Sequence, residues 1–583
     1  MKRIDKRSGQ VLLACLLCCV MPLSAADSST AAGPESAPAK TGQAISEIEQ
    51  LKQLLADQQR QINELRQALS QQKKETDGTV AVAPVSASAP APASAFPSLG
   101  QVASTTGILP RATAVRALPA IPALPQAPAA AAPAAPRNPC EADADKTIPT
   151  FLRLGNVCII PVGFMDFTPF WRDKNAGSSM GSNFGSAPYN NVANGNLSEA
   201  RFSVQNSRMG FRVDGDWKGT HFIGYNEFDF NGTSGSTSLA VSNGAIVPRL
   251  RLFWADVRKG KVEFLAGQSW SMMTPNRNGL SALPGDLFFT QVIDINYVAG
   301  LTWTRQPGLR ILYHANKHAT FGFSAEQPDQ YIGGSAGGGS ITLPTALAGL
   351  SGTQLDGAAN IGTGFNYLSQ PTVTPDFIAK FAVDYSRVHF EVGGIERNFK
   401  TTTLAAPFNK HFTTQGAGLL AGLNVALTKN FRVMTTNFFS DGGGRYLFGQ
   451  APDVIVRADG SLSPVRANGT IDGFETTIKN TLLYAYYSGI YIGRNTALDG
   501  TTRIGYGYTG SPNSQNRAIQ EFTFGFNQTM WRNPRYGAIN VMGQYEYLTR
   551  APWFVAVNAP KATHDNTIYF NIRYTLPGAM PSF

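Results

Sequence analysis

Arginines recur at alternate positions in two stretches of the chain, and their type and spacing suit the binding of anions. The four guanidiniums belong to Arg208, Arg212, Arg249 and Arg251. An alternation of period two places every second side chain on one face of a β-strand. A guanidinium presents a planar fork of donors that can bind a carboxylate or phosphate through two hydrogen bonds. Together these residues predict a wall that selects anions.

The prediction depends on which faces point away from the arginines. It takes Met209 and Phe211 as the outward residues of the first stretch, and Leu250, Leu252 and Trp254 as those of the second. Glu227 and Asp229 alternate in the stretch between the two. They leave an alternative open, in which they neutralise the arginines as structural ion pairs. Lys380 adds a cation to the same class of inward-facing position.

Patterns of catalysis, metal binding and nucleic-acid binding are weak. Residues 333–337 spell the G-x-S-x-G motif, but they lie in a glycine-rich stretch without the strand, turn and helix that the motif needs. His314 and His318 flank a turn without a nearby cysteine, which is poor metal-site spacing. The net charge of +10 lacks an accompanying basic and aromatic platform. We therefore expect no enzyme, no metal or other cofactor, and no nucleic-acid partner.

The arginines require strands to position them, and the sequence predicts sixteen between about residues 158 and 575. The connections are alternately short and long, as in membrane barrels, and an even count returns both ends to one side. Breaks at 306–308 and 503–508 leave eighteen strands open. One short turn is placed near Ser488-Gly489, between strands at 473–487 and 489–496.

Polar strand faces carrying charges of both signs favour a transmembrane barrel over a soluble sandwich. A barrel can turn such faces toward a water-filled lumen, and its mean hydropathy then stays low, here −0.13. A soluble propeller would show repeats of roughly 40–50 residues, and none is evident. The predicted fold class is all-β: a transmembrane antiparallel β-barrel over residues 140–583, preceded by an α-helical coiled coil.

The N-terminal region reads as three exported segments. Residues 1–26 combine four basic residues, an apolar run and small residues, which is typical of a cleaved signal peptide. Residues 41–76 carry apolar a and d positions over roughly four heptads, which predicts a coiled coil that joins subunits, with a single solvated helix as the alternative. Residues 77–139 are rich in Ala and Pro and predict a periplasmic linker.

Two cysteines remain after the signal peptide, Cys140 and Cys158. In an oxidising compartment such a pair predicts a disulfide, and two free buried thiols are the alternative. The bond would join the end of the linker to the start of the first strand.

The long connection at 271–298 is the predicted constriction loop. It mixes Arg277, Asp286 and Asp294 with an apolar Leu-Phe-Phe patch. This composition suits packing against the inner wall opposite the arginines, since a merely exposed loop would be less apolar.

The stretch RLRLFWADVRKGKVEFLAGQSWSMM at 249–273 resembles the DcaP-type trimeric porins, as do RFSVQNSRMGFRV, the coiled coil and Phe583. Phosphate-selective porins share the same plan. The resemblance implies a homotrimer of 16-stranded channels that pass small anionic solutes such as dicarboxylates. Residues 576–582 depart from it, because such barrels usually end on the aromatic residue of the last strand.

The sequence thus predicts an outer-membrane porin of a Gram-negative-type bacterium, with its coiled coil in the periplasm. Small hydrophilic, anionic solutes would diffuse passively through it, and its partners would be its own copies, membrane lipid and lipopolysaccharide. The alternative is a structural or adhesive barrel tethered through the coiled coil, with residues 327–375 plugging the lumen or binding partners. A barrel lipase would need a lipid-facing Ser-His pair that the sequence does not reveal.

Overall fold

The computed structural model describes residues 151–232, 247–334, 337–350, 367–369, 374–405, 408–533 and 535–577. The predicted signal peptide, coiled coil and linker lie outside these residues, as do Cys140 and Phe583. Cys158 is disulfide-bonded and fully buried. Within the described residues, no helix is both long and apolar enough to cross a membrane.

In the described residues, nineteen strands share one antiparallel sheet, and sixteen of them form a closed ring. The ring consists of β1 (Val157–Arg172), β2 (Arg208–Trp217), β3 (Thr220–Gly232), β4 (Val247–Lys259), β5 (Val262–Trp270), β6 (Arg305–His314), β7 (Ala319–Glu326), β8 (Asp376–Tyr385), β9 (Val388–Ala405), β10 (Phe408–Ala426), β11 (Phe431–Asp441), β12 (Arg466–Ile478), β13 (Thr481–Ile492), β14 (Asn516–Asn533), β15 (Gly537–Pro552) and β16 (Thr563–Thr575). Each strand pairs with the next, and β16 pairs with β1, where Phe164 lies opposite Thr575. The predicted 16-stranded antiparallel barrel is therefore confirmed.

Shorter elements extend the ring or lie between its strands. Three more strands join the sheet at its margins: Leu152–Leu154, Glu199–Ser203 and Tyr367–Ser369. Two small hairpins pair Val454–Val456 with Leu462–Pro464 and Asn495–Asp499 with Thr502–Tyr506. The described 3-10 helices are Phe184–Ser186, Ala193–Asn196, Thr345–Leu350 and Gly444–Tyr446. These pieces belong to the long connections, which all leave the barrel at the same end.

The alternation of period two holds around the wall. On β2, Met209 and Phe211 are about half exposed on the outside, whereas Arg208 and Arg212 are buried inside. The same division recurs on β8, where Phe381 points out and Lys380 points in. The inward direction predicted for these cations is thus confirmed.

One predicted turn is wrong. Ser488 and Gly489 lie within β13, and the β12–β13 hairpin instead turns at Lys479 and Asn480, between paired Ile478 and Thr481. Lys479 adopts a positive φ of 56°. Such a backbone favours glycine or asparagine, so a lysine in this position gave no turn signal.

The expected long connection after residue 399 is also wrong. Strands β9 and β10 continue as a paired ribbon to Ala405 and Phe408, so only residues 406 and 407 connect them. The threonine-rich sequence between 401 and 414 is compatible with a strand because β-branched residues fit the pleated backbone.

A β-bulge in β4 corrects the predicted direction of two apolar residues. Glu227 pairs with Leu252 and the next residue, Phe228, pairs with Leu250, so Arg251 is the extra residue. An extra residue shifts the alternation by one. Leu252 and Trp254 consequently point into the barrel, and only Leu250 of the predicted outward set remains outside.

The seam between β1 and β16 contains a buried ion pair. The Nε and Nη2 atoms of Arg573 donate to Asp166 over 2.7 and 2.6 Å, and Asn206 donates to the same carboxylate over 2.9 Å. Both partners of the ion pair are almost fully buried. The barrel is thus closed by a charged contact as well as by backbone pairing.

We expect Arg573→Leu to lower the free energy of unfolding by about 3–5 kcal/mol, because it leaves the Asp166 carboxylate buried without its cation. Denaturant titration of the folded barrel in detergent measures the change. The matched control is Arg466→Leu, which breaks the exposed 3.3 Å pair with Asp441. It should cost less than about 1 kcal/mol. Equal losses in the two variants would contradict the role of the seam.

Candidate pore wall and constriction loop

The predicted arginines lie on the inner wall of β2 and β4 in contact with the acidic residues of β3. Arg249 donates to Asp229 over 2.7 and 3.1 Å. Arg251 donates to Glu227 over 2.5 Å and to Asp229 over 2.9 Å. Arg208 lies 3.5 Å from Glu227. The structural ion pairs considered as the alternative are therefore present.

These pairs leave positive charge in excess. Arg305, the first residue of β6, lies over the Trp270 ring at 5.3 Å, and Arg251 lies over the same ring at 5.4 Å. With Arg208 and Arg249, four guanidiniums share two carboxylates. Among the described residues, Nε and Nη2 of Arg208 and Nε and Nη1 of Arg305 have no hydrogen-bond partner. Buried donors in this condition can accept an anionic ligand without displacing an existing bond.

The other two predicted cations of the wall are engaged elsewhere. Arg212 forms a buried pair with Asp214 on its own strand. Lys380 donates to the Thr274 carbonyl over 2.8 Å and pairs with Glu391 at 3.0 Å. Lys380 therefore holds a loop in place, whereas the unpartnered donors belong to Arg208 and Arg305.

The loop held by Lys380 comprises residues 271–304 between β5 and β6, here called L3. Its backbone N–H groups donate to side chains on six strands of the inner wall, over distances between 2.5 and 3.1 Å. The donor and acceptor pairs are Met272 with Glu326, Asn276 with Glu391, Gly279 with Asp384, Gln291 with Tyr486, Ile293 with Gln544, and Ala299 with Glu521. L3 thus extends across the barrel from β7 to β15, as the constriction prediction required.

Two of the predicted L3 residues contact the wall opposite the arginines. Arg277 forms a two-pronged contact with Glu475 on β12, over 2.8 and 2.5 Å. Asp294 accepts hydrogen bonds from the Tyr569 hydroxyl on β16 over 3.0 Å and from the Ser182 N–H over 2.8 Å. Asp286 is buried within L3, where its backbone carbonyl accepts the Arg277 N–H over 2.7 Å.

The charges of these L3 residues reflect their burial. Burial alone would lower the pKa of Arg277, but the Glu475 carboxylate outweighs it and the pKa lies above its usual value. Arg277 therefore remains a cation. Burial raises the pKa of Asp294, against the opposing effect of hydrogen bonds from the Asn296 and Ser182 backbone.

Other long connections pack on L3 and complete a layer inside the barrel. Trp303 of L3 donates its backbone N–H to the Tyr446 carbonyl over 2.8 Å and stacks on Phe448 at 5.1 Å. Asn296 donates to the Ser182 carbonyl over 2.9 Å. Residues of this layer and of the inner wall belong to one buried apolar cluster. The arginine wall consequently contacts protein on its inner side.

Sequence reasoning missed Arg305 and most of the wall acceptors. Arg305 lies next to the irregular Gln306-Pro307-Gly308, where alternation does not assign a face. Glu391 and Glu521 were recognised as inward residues, but nothing in a strand pattern shows which loop atom an inward carboxylate will accept.

Comparisons with solved structures identify this architecture. The outer-membrane channel DcaP of Acinetobacter baumannii matches with a TM-score of 0.52 and 18% identity, over 73% of this chain and 99% of that one. The barrel has the fold of the DcaP channel. The predicted DcaP resemblance is therefore confirmed as a likeness of fold.

Other barrels match the DcaP-like fold at lower scores. The anion-selective porin from Comamonas acidovorans has a TM-score of 0.36 and 12% identity, over 72% of this chain and 99% of that one. Salmonella typhi OmpF, in complex with daunomycin, has a TM-score of 0.39 and 8% identity, over 73% and 99%. No protein-family model and no curated protein matches the chain.

We expect Arg277→Ala to loosen L3, because it removes two charge-assisted hydrogen bonds to Glu475. Each hydrogen bond to a charged group contributes about 1.5–3 kcal/mol, so the backbone amides of residues 276–293 should exchange roughly tenfold to hundredfold faster. Hydrogen–deuterium exchange with mass spectrometry measures the rates. Arg466→Ala, which removes a cation from an exposed pair, should leave them unchanged. Unaltered exchange in Arg277→Ala would show that Glu475 does not hold the loop.

Proposed function

We propose that the chain is an outer-membrane porin through which small hydrophilic, anionic solutes diffuse passively. The observation that carries the proposal is the excess of buried guanidinium on the inner wall of a closed barrel. Four arginines there face two carboxylates, and Arg208 and Arg305 retain unpartnered donors. A charge excess of this kind favours anions over cations at a constriction.

The geometry favours carboxylates among small anions. Arg208 and Arg305 each offer a planar fork, and a carboxylate matches two of its donors at once. The neighbouring rings of Trp270, Tyr297 and Trp303 supply an apolar surface with centroids 5.4–6.3 Å apart. A solute with a charged end and a compact apolar body fits both features.

L3 sets the route that such a solute takes. Arg208, Arg212 and Arg251 are almost fully buried beneath the layer that L3 organises. A solute that reaches the unpartnered donors must therefore displace part of that layer. Passage is limited by the packing of L3, and no covalent step or cofactor is needed.

The exported N-terminal region supports the location and the assembly. A signal peptide at 1–26 and a linker at 77–139 would leave the coiled coil at 41–76 in the periplasm, where it holds copies together as a homotrimer. The barrel exterior, rich in Phe and Leu, would contact membrane lipid, with lipopolysaccharide around the long connections.

We expect the double variant Arg208→Gln/Arg305→Gln to lose anion preference, because it removes the two cations that have unpartnered donors. Reversal potential of the purified protein in a planar bilayer under a KCl gradient measures the chloride-to-potassium permeability ratio, which should fall toward one. Arg466→Gln removes a charge from the exposed end of β12 and should leave the ratio unchanged. A cation-preferring wild type would contradict anion selection and spare the pore.

A structural barrel is the second candidate, because L3 is held by wall residues from β7 to β16. In that function the lumen stays closed, and the protein anchors the envelope through its coiled coil. The many backbone-to-wall hydrogen bonds of L3 favour it.

Single-channel conductance of wild type and Arg277→Ala separates the two functions. For a porin limited by L3, we expect wild-type openings and a larger conductance in the variant, because its loop is less firmly held. Arg466→Ala serves as the control for altered charge. Folded, inserted wild type and variant that both fail to conduct would support the structural barrel.

A further inference from the structure

A group of polar side chains interrupts the apolar exterior of the barrel on β11 and β12. Asn437 lies opposite Thr470 and Thr435 lies opposite Asp472. The Thr470 hydroxyl donates to Asn437 over 2.9 Å, and the Asn437 amide donates to Thr435 over 3.1 Å. Asp472 is exposed, and within the described residues it forms no ion pair. This carboxylate therefore faces outward without a cation.

These residues lie within the apolar band and not at its edge. Phe474 follows Asp472 by two positions toward the short-turn end of β12, and Phe439 follows Asn437 by two positions toward the long-connection end of β11. Both rings are well exposed on the outside. Hydrocarbon solvates a carboxylate poorly at such a depth, so a lipid contact here costs free energy.

Small and polar residues extend the group sideways across five strands. Successive cross-strand partners from β10 to β14 form what we call the polar row: Ala421, Asn437, Thr470, Gly489 and Gln520. None of its members has a large apolar side chain. Gln520 also donates to the Tyr487 hydroxyl over 2.7 Å, and Tyr487 lies opposite Asp472.

The opposite side of the barrel has a different exterior. The outward positions of β2, β3, β5, β6 and β7 carry large, exposed apolar side chains, including Met209, Phe211, Phe222, Phe264, Ile311 and Phe323. That wall suits lipid. The contrast assigns a different neighbour to the polar row.

We infer that the polar row and Asp472 form the face on which a second copy of this chain docks. Within a membrane, small residues allow two backbones to approach closely, and polar side chains contribute hydrogen bonds across the contact. The row offers amide and hydroxyl donors, and Asp472 offers an acceptor, so copies of the face are chemically complementary. The heptads at 41–76 predict that copies are held side by side. The inference rests on the proposed self-associating outer-membrane barrel and specifies its contact.

Photo-crosslinking tests the location of the contact in the full-length protein in outer-membrane vesicles. A benzophenone-bearing residue is placed at Ala421 in the polar row and, as the matched control, at Phe323 on β7. We expect a product of twice the subunit mass from Ala421 and none from Phe323. A dimer-mass product only from Phe323, or a product of another mass from Ala421, overturns the inference. Photochemistry leaves the cysteines undisturbed.

Asp472→Leu provides the second measurement, with Phe323→Leu as its control. We expect the detergent-solubilised Asp472→Leu protein to lose its oligomeric mass by light scattering, while Phe323→Leu retains it. An unchanged oligomer in both variants contradicts docking through this face. Wild-type conductance is recorded in parallel: conduction without Ala421 crosslinks overturns the inference alone, whereas Ala421 crosslinks without conduction overturn the proposed porin alone.

Discussion

The pairing of every ring strand on both sides is the constraint from which the other features follow. Hydrocarbon offers no hydrogen bonds to backbone N–H and C=O groups, so a sheet in a membrane must close on itself. Closure between β1 and β16 also gives each strand an inside and an outside. Charged residues then gather within a limited interior, where unmatched charge is costly. The ion pair of Asp166 with Arg573 shows this at the seam itself.

L3 matches the interior charges unevenly. Its N–H groups and Arg277 donate to acceptors on β7, β8, β9 and β12–β15, including Glu326, Glu391, Glu475 and Glu521. The wall of β2–β6 receives fewer such contacts and keeps its guanidinium excess. One loop therefore neutralises one side of the barrel and leaves the other positively charged. The same contacts explain why a permeating solute and L3 would compete for space.

Much of this architecture could be read from the sequence because a barrel strand has a strict period of two. The inward positions of Arg208, Arg212 and Lys380 followed from their apolar neighbours, and the apolar patch of 271–298 indicated an inward loop. The bulge at Arg251 could not be read, since an extra residue leaves the composition of β4 unchanged while redirecting Leu252 and Trp254. The turn at Lys479 lacked a glycine. The role of Arg305 depends on contacts between strands that alternation does not describe.

The bonds that hold L3 start mainly from its backbone, and this has a consequence for how the chain tolerates change. A backbone N–H is supplied by every residue except proline, so most replacements within L3 preserve these bonds. Replacing a wall acceptor such as Glu391 or Glu521 removes one outright. The residues that determine where the loop lies are thus distant from it in the chain. Drift in the loop's own residues could then reshape the passage while the loop keeps its course.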